Sequence, residues 1–559
     1  MSIGAHPPNL KKRFYKAGDA TVLCVRRPSA PEERGSMMEH KAFCLYLPCE
    51  GCELFTVVCL PGSEGTYPTV IYRSPYVDAE THLSEEDICE KKLKDHAVWL
   101  DAGYAVVWQH CRGCGKSGGD FVPYIDERED GLSLRQWIRS QTFYNGELYL
   151  CGGSYLASVH FVTAPFEDDV KGAVLEVQDC ERYRIKYRNG FLKSGMHGTW
   201  YVRTYKKKSI PQKNFSMDSY KTLPLSEFSQ TVFGERAPDF DETLRHPDKN
   251  DPFWHTRYGG GEAHEAICHA RIPILLVTGF YDLYTGGVFD MWRTLDSQTR
   301  ALSALAVHPY HHGGSGTGQP IEFENGVLAR AVEQYGLRWL ESVRSKCEPP
   351  FARGKVTYYK LFGDTWCCDT FYDADERKAF PLGEGKVTYT YNPYAPATFK
   401  GGLSVEYSGA TAWQDKPNSR YDIISVYTPV FEEDTFVKGQ MKAHLKVSSD
   451  CEDTCFYVRI SLCKAEGDYG VRDDIQQISN VDANYRPNEE LTIDFSFDEH
   501  AFVIKKGERL RIDISSSAYP FYVPHTNRRG LFSEQTSAKI AKNTVFLGKS
   551  SIEIPIKNA

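Results

Sequence analysis

The chain has 559 residues, too many for one compact core and enough for two to four domains. Its 41% hydrophobic, 25% charged and 13% aromatic residues describe a folded globular protein and exclude a disordered one. A formal net charge of −8 argues against a chain-wide role on nucleic acid or on an anionic membrane.

Residues 1–38 are polar, carry few periodic apolar positions, and read as an N-terminal extension. They lack the apolar core of a secretory signal, and no window is apolar enough to span a bilayer, so a cytoplasmic protein is expected. In that compartment the seventeen cysteines are expected to be reduced thiols. Two CxxC pairs, Cys49/Cys52 and Cys111/Cys114, have the spacing of zinc-ligand pairs. Glu50-Gly51 reads instead as a turn between two strands, and Cys111 and Cys114 interleave with a glycine-rich loop. No metal and no cofactor is expected.

Strand-length apolar runs follow at 42–47, 54–60, 69–72, 105–109, 148–151, 173–177, 272–277 and 302–307. Helical stretches lie between the later ones, at 84–100 and 127–139. A last helix near 325–343 sets Leu328, Val332, Tyr335, Leu337, Trp339 and Leu340 mostly on one face. Alternating strands and helices predict a mainly parallel sheet covered on both faces. The pattern breaks between 180 and 260, where a cap would be inserted. After about 350, runs at 441–447, 456–462, 491–497 and 510–514 alternate and are separated by Gly, Pro and Asn turns, the texture of an antiparallel sandwich. The fold class is therefore α/β: a parallel-sheet domain (39–179 and 261–348), which the serine turn described next marks as an α/β-hydrolase domain, with a helical cap insertion (180–260), followed by a C-terminal all-β jelly-roll sandwich (349–559).

The strand at 148–151 runs into Gly152-Gly153-Ser154-Tyr155-Leu156-Ala157 and then a helix-forming stretch. A serine on such a strand-to-helix turn is held out of the sheet with its hydroxyl exposed. The match to the usual glycine-flanked turn is imperfect, with Ala157 in place of a glycine. Serine alone is a poor nucleophile and needs a base, oriented by a carboxylate. In this fold those partners follow in the order Asp, His, at the ends of later strands. The run at 272–277 leads to Thr278-Gly279-Phe280-Tyr281-Asp282, and that at 302–307 to His308-Pro309-Tyr310-His311-His312-Gly313. Ser154, Asp282 and His312 are thus the candidate nucleophile, orienting acid and base. Asp290 would be carried off by a helix, and His308, His311 and His312 have no accompanying carboxylate motif for zinc.

Six segments, in order, resemble the cocaine esterase / nonactin hydrolase family, which shares its architecture with Xaa-Pro dipeptidyl-peptidases. They are Tyr72-Arg-Ser-Pro75-Tyr76, the stretch from Gln109 through Arg112-Gly113 to Gly119, Glu129-Asp130-Gly131, Gly153-Ser154-Tyr155-Leu156, Tyr281-Asp282, and Pro309-Tyr-His-His312-Gly313. The resemblance covers roughly 40–557. It implies that Ser154, Asp282 and His312 form a catalytic triad, that the Tyr76 hydroxyl and the Tyr155 backbone N–H form the oxyanion hole, and that Tyr284 lines the acyl pocket. Two departures are expected to matter locally: His110 stands where the family often has aspartate, and His308-Pro309-Tyr310 replaces Gly-Pro-Trp and should alter the pocket wall.

Relatives acting on α-amino-acid esters carry extra acids just past the triad aspartate, where this chain has Leu283-Tyr284-Thr285-Gly286-Gly287. A carboxylic-ester hydrolase is therefore expected, with an Xaa-Pro dipeptidyl-peptidase or an acyltransferase as alternatives. A non-catalytic carbohydrate-binding protein is the alternative of another class. Between 182 and 213 stand ten Lys/Arg and no Asp/Glu. Facing the pocket mouth, that run would favour an anionic substrate; a solvated face or a subunit contact in a homo-oligomer are its other readings. The expected partner is a small-molecule acyl substrate, with neither nucleic acid nor membrane.

Overall fold

The computed structural model describes residues 39–256, 263–314, 319–326, 332–372, 376–402 and 409–557, together with two strands, Lys12–Ala17 and Ala20–Val25. Among the described residues twelve strands form one sheet. Its centre is parallel, in the spatial order Ala105–His110, Tyr67–Ser74, Tyr144–Gly153, Val170–Glu176, Ile274–Tyr281, Ala304–His311 and Val356–Lys360. Ile274–Tyr281 is buried at every position, as a strand covered on both faces must be. The antiparallel flank opens with the hairpin His40–Cys49/Cys52–Leu60. Its two-residue turn is Glu50-Gly51, with Gly51 at φ +76°, the left-handed conformation this turn demands.

The sheet reaches beyond the expected segment at both ends. Lys12–Ala17 and Ala20–Val25, read from sequence as an extension, add two antiparallel strands to one edge. Val356–Lys360 and Thr365–Asp369, placed by sequence in the C-terminal sandwich, add two to the other. The helix expected over 84–100 is two, Glu85–Asp95 and Ala97–Asp101. They part at His96, which stacks on Tyr72 with ring centroids 5.2 Å apart. Ser84 caps the first by accepting from the Asp87 N–H. The last helix of this unit is Val332–Val343, which buries Trp339 and Leu340. Leu328 and the Val332 side chain lie outside the described residues.

The C-terminal region packs an eight-stranded sheet on a four-stranded one. Leu491–Ser496 alternates buried and exposed positions as its sequence predicts. Cys455–Cys463 does not, being buried at all but its last residue. Its second face is covered by the segment around Phe399, whose ring lies 4.7 Å from Tyr457. One apolar cluster runs without a break from Leu276 and Phe280 of the parallel sheet into Tyr469 and Phe502 of the sandwich.

The insertion folds as short helices and a two-stranded ribbon around its own aromatic core, which includes Tyr201, Tyr220, Phe228 and Phe240. The sandwich clamps it. Arg188 donates to Asp474 and Asp498, at 2.8 Å each, and to the Ser496 carbonyl at 2.9 Å. Ser194 Oγ donates to the Pro520 carbonyl at 2.9 Å, and Tyr519 donates to the Met217 carbonyl. Arg188→Met should leave the buried Asp474 without its counter-ion. Removing one partner of a buried pair costs about 3 kcal/mol, so calorimetry should show a melting temperature lower by several degrees and turnover should fall as the cap loosens. An unchanged melting curve would mean the clamp contributes nothing.

Candidate active site

Ser154 follows the central strand Tyr144–Gly153 and precedes the helix Tyr155–Phe161. Its backbone sits at φ +57°, ψ −129°, a conformation that costs a non-glycine residue roughly 1–3 kcal/mol. The turn is pinned by the Ser154 N–H donating to the Glu176 carbonyl at 2.9 Å and the Ala157 N–H donating to the Ser154 carbonyl at 2.9 Å. At Gly152 a Cβ would lie 2.5 Å from the Leu156 carbonyl oxygen. Only glycine lets the helix return this closely over the strand.

Asp282 comes just after Ile274–Tyr281, and His312 just after Ala304–His311. The parallel order brings both strand ends to the edge where Ser154 stands. His312 Nε2 lies 2.8 Å from Ser154 Oγ, and His312 Nδ1 lies 2.7 Å from Asp282 Oδ2. The other carboxylate oxygen of Asp282 accepts from the Tyr284 N–H at 2.8 Å. With Nδ1–H held by the carboxylate, Nε2 is free to take the serine proton. Asp290 lies in the helix Thr285–Thr294 and pairs with Arg184 and Arg293.

Tyr76 stands over the serine, and its oxygen accepts from Trp200 Nε1 at 3.1 Å. The residue is 49% exposed and lines the cavity. Burial pushes the hydroxyl up to about 12, with hydrogen bonds to Trp200 and Ser154 opposing the rise. It therefore stays a proton donor at neutral pH. Tyr155 opens its helix, so its backbone N–H has no acceptor within the helix. Its side chain is fixed, donating to Glu127 Oε1 at 2.9 Å and accepting from the Tyr124 N–H at 2.7 Å.

Beneath the site the motif residues form a buried ionic network. Arg73 Nε donates to Gln109 at 2.8 Å, and its guanidinium pairs with Glu127 at 2.8 Å and Asp130 at 3.6 Å. Arg112 also pairs with Asp130, at 2.6 Å. His110 is buried against Glu80 at 2.9 Å and accepts from the Lys116 N–H at 3.2 Å, tying down the Arg112–Gly119 loop. Tyr310 is not in the pocket wall. It points into the core and bonds the Phe323 backbone on both sides, at 2.9 and 3.1 Å, so the change at 308–310 leaves the wall untouched.

The cavity around Ser154 holds about 460 Å³ and is lined by Tyr76, Tyr124, Tyr155, Trp200, Tyr284, Met196, His197, Leu283, Val177, Gln178 and Glu176 besides the serine and His312. Trp200, Tyr124, His197 and Glu176 escaped the sequence reading as site residues. They come from three segments, His197 and Trp200 sharing one, and no local pattern marks them. Burial holds His197 well below its ordinary range and Tyr155 and Tyr284 well above theirs, so all three are uncharged. Burial likewise lifts Glu176 to about 8.

None of the ten cations of 182–213 is among the lining residues. Four of the ten pair with carboxylates, and five more are held by neutral groups. Arg184 pairs with Asp179 and Glu181, Arg188 with the sandwich, Lys206 with Glu235 and Lys207 with Asp78. Lys186, Lys193, Lys208 and Lys213 donate to hydroxyl or carbonyl oxygens. Arg182 stacks on the Tyr124 ring, 3.6 Å from its centroid. Among the described residues no three His, Cys, Asp or Glu side chains are grouped to hold a metal, and Cys49, Cys52, Cys111 and Cys114 are free thiols. No described helix is long and apolar enough to cross a membrane.

A parallel sheet that presents a strained serine, an aspartate and a histidine at the ends of three of its strands, joined to an all-β jelly roll, defines an α/β-hydrolase of two-part construction. Residues 50–314 match the X-Pro dipeptidyl-peptidase (S15 family) and residues 376–551 the X-Pro dipeptidyl-peptidase C-terminal non-catalytic domain. Cocaine esterase from Rhodococcus sp. (strain MB1 Bresler) is 23% identical over 91% of this chain and 96% of its own. An aminopeptidase from the marine sediment archaeon Thaumarchaeota archaeon superposes with a TM-score of 0.77 at 17% identity, over 95% of this chain and 99% of that one. An α-amino acid ester hydrolase does so at 0.76 and 17%, over 95% and 98%; both show the fold. The chain belongs to the cocaine esterase / X-Pro dipeptidyl-peptidase-like family and is a serine hydrolase of that type.

Gly152→Ala should force strand and helix apart at the turn that presents Ser154. Overpacking of this kind costs about 1–3 kcal/mol, and the serine should shift off the histidine. Denaturant melts and steady-state kinetics should both register it, and a variant unaltered in either would remove the close approach as a constraint.

Proposed function

We propose that the protein hydrolyses carboxylic esters through an acyl-enzyme on Ser154. The observation that carries the reading is the unbroken contact from Asp282 through His312 to Ser154, 2.7 and 2.8 Å, at the floor of a substrate-sized cavity. Ser154 Oγ attacks the carbonyl carbon while His312 Nε2 takes its proton, and Asp282 stabilises the imidazolium that forms. Negative charge develops on the carbonyl oxygen, where the Tyr76 hydroxyl and the Tyr155 N–H are the donors at hand. The C–O bond then breaks, His312 returns the proton to the departing alkoxide, and water repeats the sequence on the acyl-serine. Ser154→Ala should lower turnover on the order of a millionfold with the fold intact by circular dichroism. A fluorophosphonate should label the parent at Ser154 and not the variant. A variant keeping more than about a hundredth of the activity would refute the assignment.

The acyl group it prefers is uncharged at neutral pH. The lining residues carry no cation, and their one carboxyl, Glu176, titrates at about 8. A carboxyl raised in this way is neutral below that pH and gains its charge as pH rises through it. An anionic acyl donor would therefore be disfavoured, opposite to what the basic run suggests in sequence. The alternative of dipeptidyl cleavage needs an anion for the free amine, and Glu176, raised by burial, is the one lining carboxyl that could supply it. Between pH 7 and 9 the ratio of kcat/KM for a trimethylammonium ester to that for its tert-butyl isostere should rise about tenfold, and Glu176→Gln should flatten it. A flat ratio in the parent, or the same rise in the variant, would show that Glu176 does not set the pocket's charge.

A further inference from the structure

The hydrogen bond from Trp200 to Tyr76 joins the inserted cap to the end of the strand Tyr67–Ser74 across 124 positions of sequence. A phenolic oxygen can accept hydrogen bonds and donates one. With the indole N–H directed at its oxygen, the Tyr76 hydroxyl has an acceptor site occupied, and its own proton is available to a carbonyl oxygen in the cavity that Tyr76 and Ser154 both line. A donor that itself accepts a hydrogen bond is also a stronger donor.

The position of Trp200 is built, not incidental. It lies in the helix Thr199–Thr204, reached through Gly198, where a Cβ would stand 2.3 Å from Tyr220 Oη. Its ring packs on Tyr155 at 5.4 Å and Tyr124 at 5.7 Å between centroids. The same helix is anchored by Tyr201, which donates to Asp239 at 2.7 Å. Beyond it the ribbon carrying Arg188, and Ser194, are held by the sandwich.

We infer that Trp200 is a positioning residue for the oxyanion hole: its indole N–H orients the Tyr76 hydroxyl, so that a correctly seated cap is required for full transition-state stabilisation. The inference rests on the reading of Tyr76 as an oxyanion donor. Trp200 thus holds Tyr76 in the cavity that Ser154 also lines, where the Ser154–His312–Asp282 contacts meet the substrate. The cap thereby acts on the reacting centre through one hydrogen bond, besides walling the pocket.

The test is a double-mutant cycle on an uncharged p-nitrophenyl ester. Tyr76→Phe should lower kcat about a hundredfold. Replacing Trp200 by benzothienylalanine, which keeps the bicyclic ring and lacks the N–H, should lower kcat about three- to tenfold, with KM within about twofold of the parent. Trp200→Phe should fall at least as far. Affinity for a boronic acid that forms a tetrahedral adduct on Ser154 should drop in proportion to kcat. In the Tyr76→Phe background the benzothienylalanine replacement should have no further effect. Full kcat for the benzothienylalanine protein beside a disabled Tyr76→Phe would overturn the inference and leave the oxyanion reading standing. So would an equal loss in the Tyr76→Phe background, which would mean Trp200 acts by packing alone. An undiminished kcat for Tyr76→Phe would remove the oxyanion reading and the inference with it.

Discussion

The backbone of Ser154 is the constraint on which the rest of the site depends. A side chain at φ +57° and ψ −129° is held against its own preference. It persists because the strand before it, the helix after it and the carbonyl of Glu176 beside it leave no other path. Glycine at 152 is the condition for that arrangement, since the helix returns within 2.5 Å of where a Cβ would be. What the strain achieves is geometric. The hydroxyl stands clear of the sheet and meets residues delivered by Ile274–Tyr281 and Ala304–His311, the two strands beyond Val170–Glu176 in the parallel order.

A second constraint lies underneath. Arg73, Arg112, Glu127 and Asp130 are charges taken out of water, and each is tolerable only because its partners are fixed. The pairing fixes more than charge. Glu127 spends one oxygen on Arg73 and the other on the Tyr155 hydroxyl, and that hydroxyl in turn receives the Tyr124 N–H. The floor of the cavity is thus tied to the same network that ties the strand ends together. These residues supply much of the sequence resemblance, yet they touch no reacting atom.

The sequence made legible those features that depend on order along the chain. Ser154, Asp282 and His312 stand out because this fold requires each at a strand end, in that succession. The alternation of 491–497 fixed its pleat, and the turn at Glu50-Gly51 followed from the residue types. Features that depend on pairing across the chain were not legible. Arg188 looks unopposed among ten cations, but its partner Asp474 lies 286 positions away. Tyr310 sits two residues from His312 and still points into the core, because Phe323 offers it two backbone partners. Glu176 closes a strand and reads as an ordinary strand end; only the fold shows that no cation faces it. Strands read by alternation alone were misjudged where a loop covers the second face, as over Cys455–Cys463.

The sandwich is therefore not an appendage to the hydrolase. Its core is continuous with that of the parallel sheet, through Phe280 and Tyr281, one residue before Asp282. His500 of the sandwich stacks on Phe280 at 5.0 Å and lies 3.1 Å from the Tyr281 hydroxyl, so the strand end that carries Asp282 is braced from the sandwich side. On the other side the sandwich holds the cap by Arg188 and Ser194. A cap fixed at its base in this way uses most of its cations in structural contacts, and none of the ten lines the pocket beneath it. Electrostatic capture of an anionic substrate by this run would have to act from outside the lining, since none of its ten cations is among the lining residues.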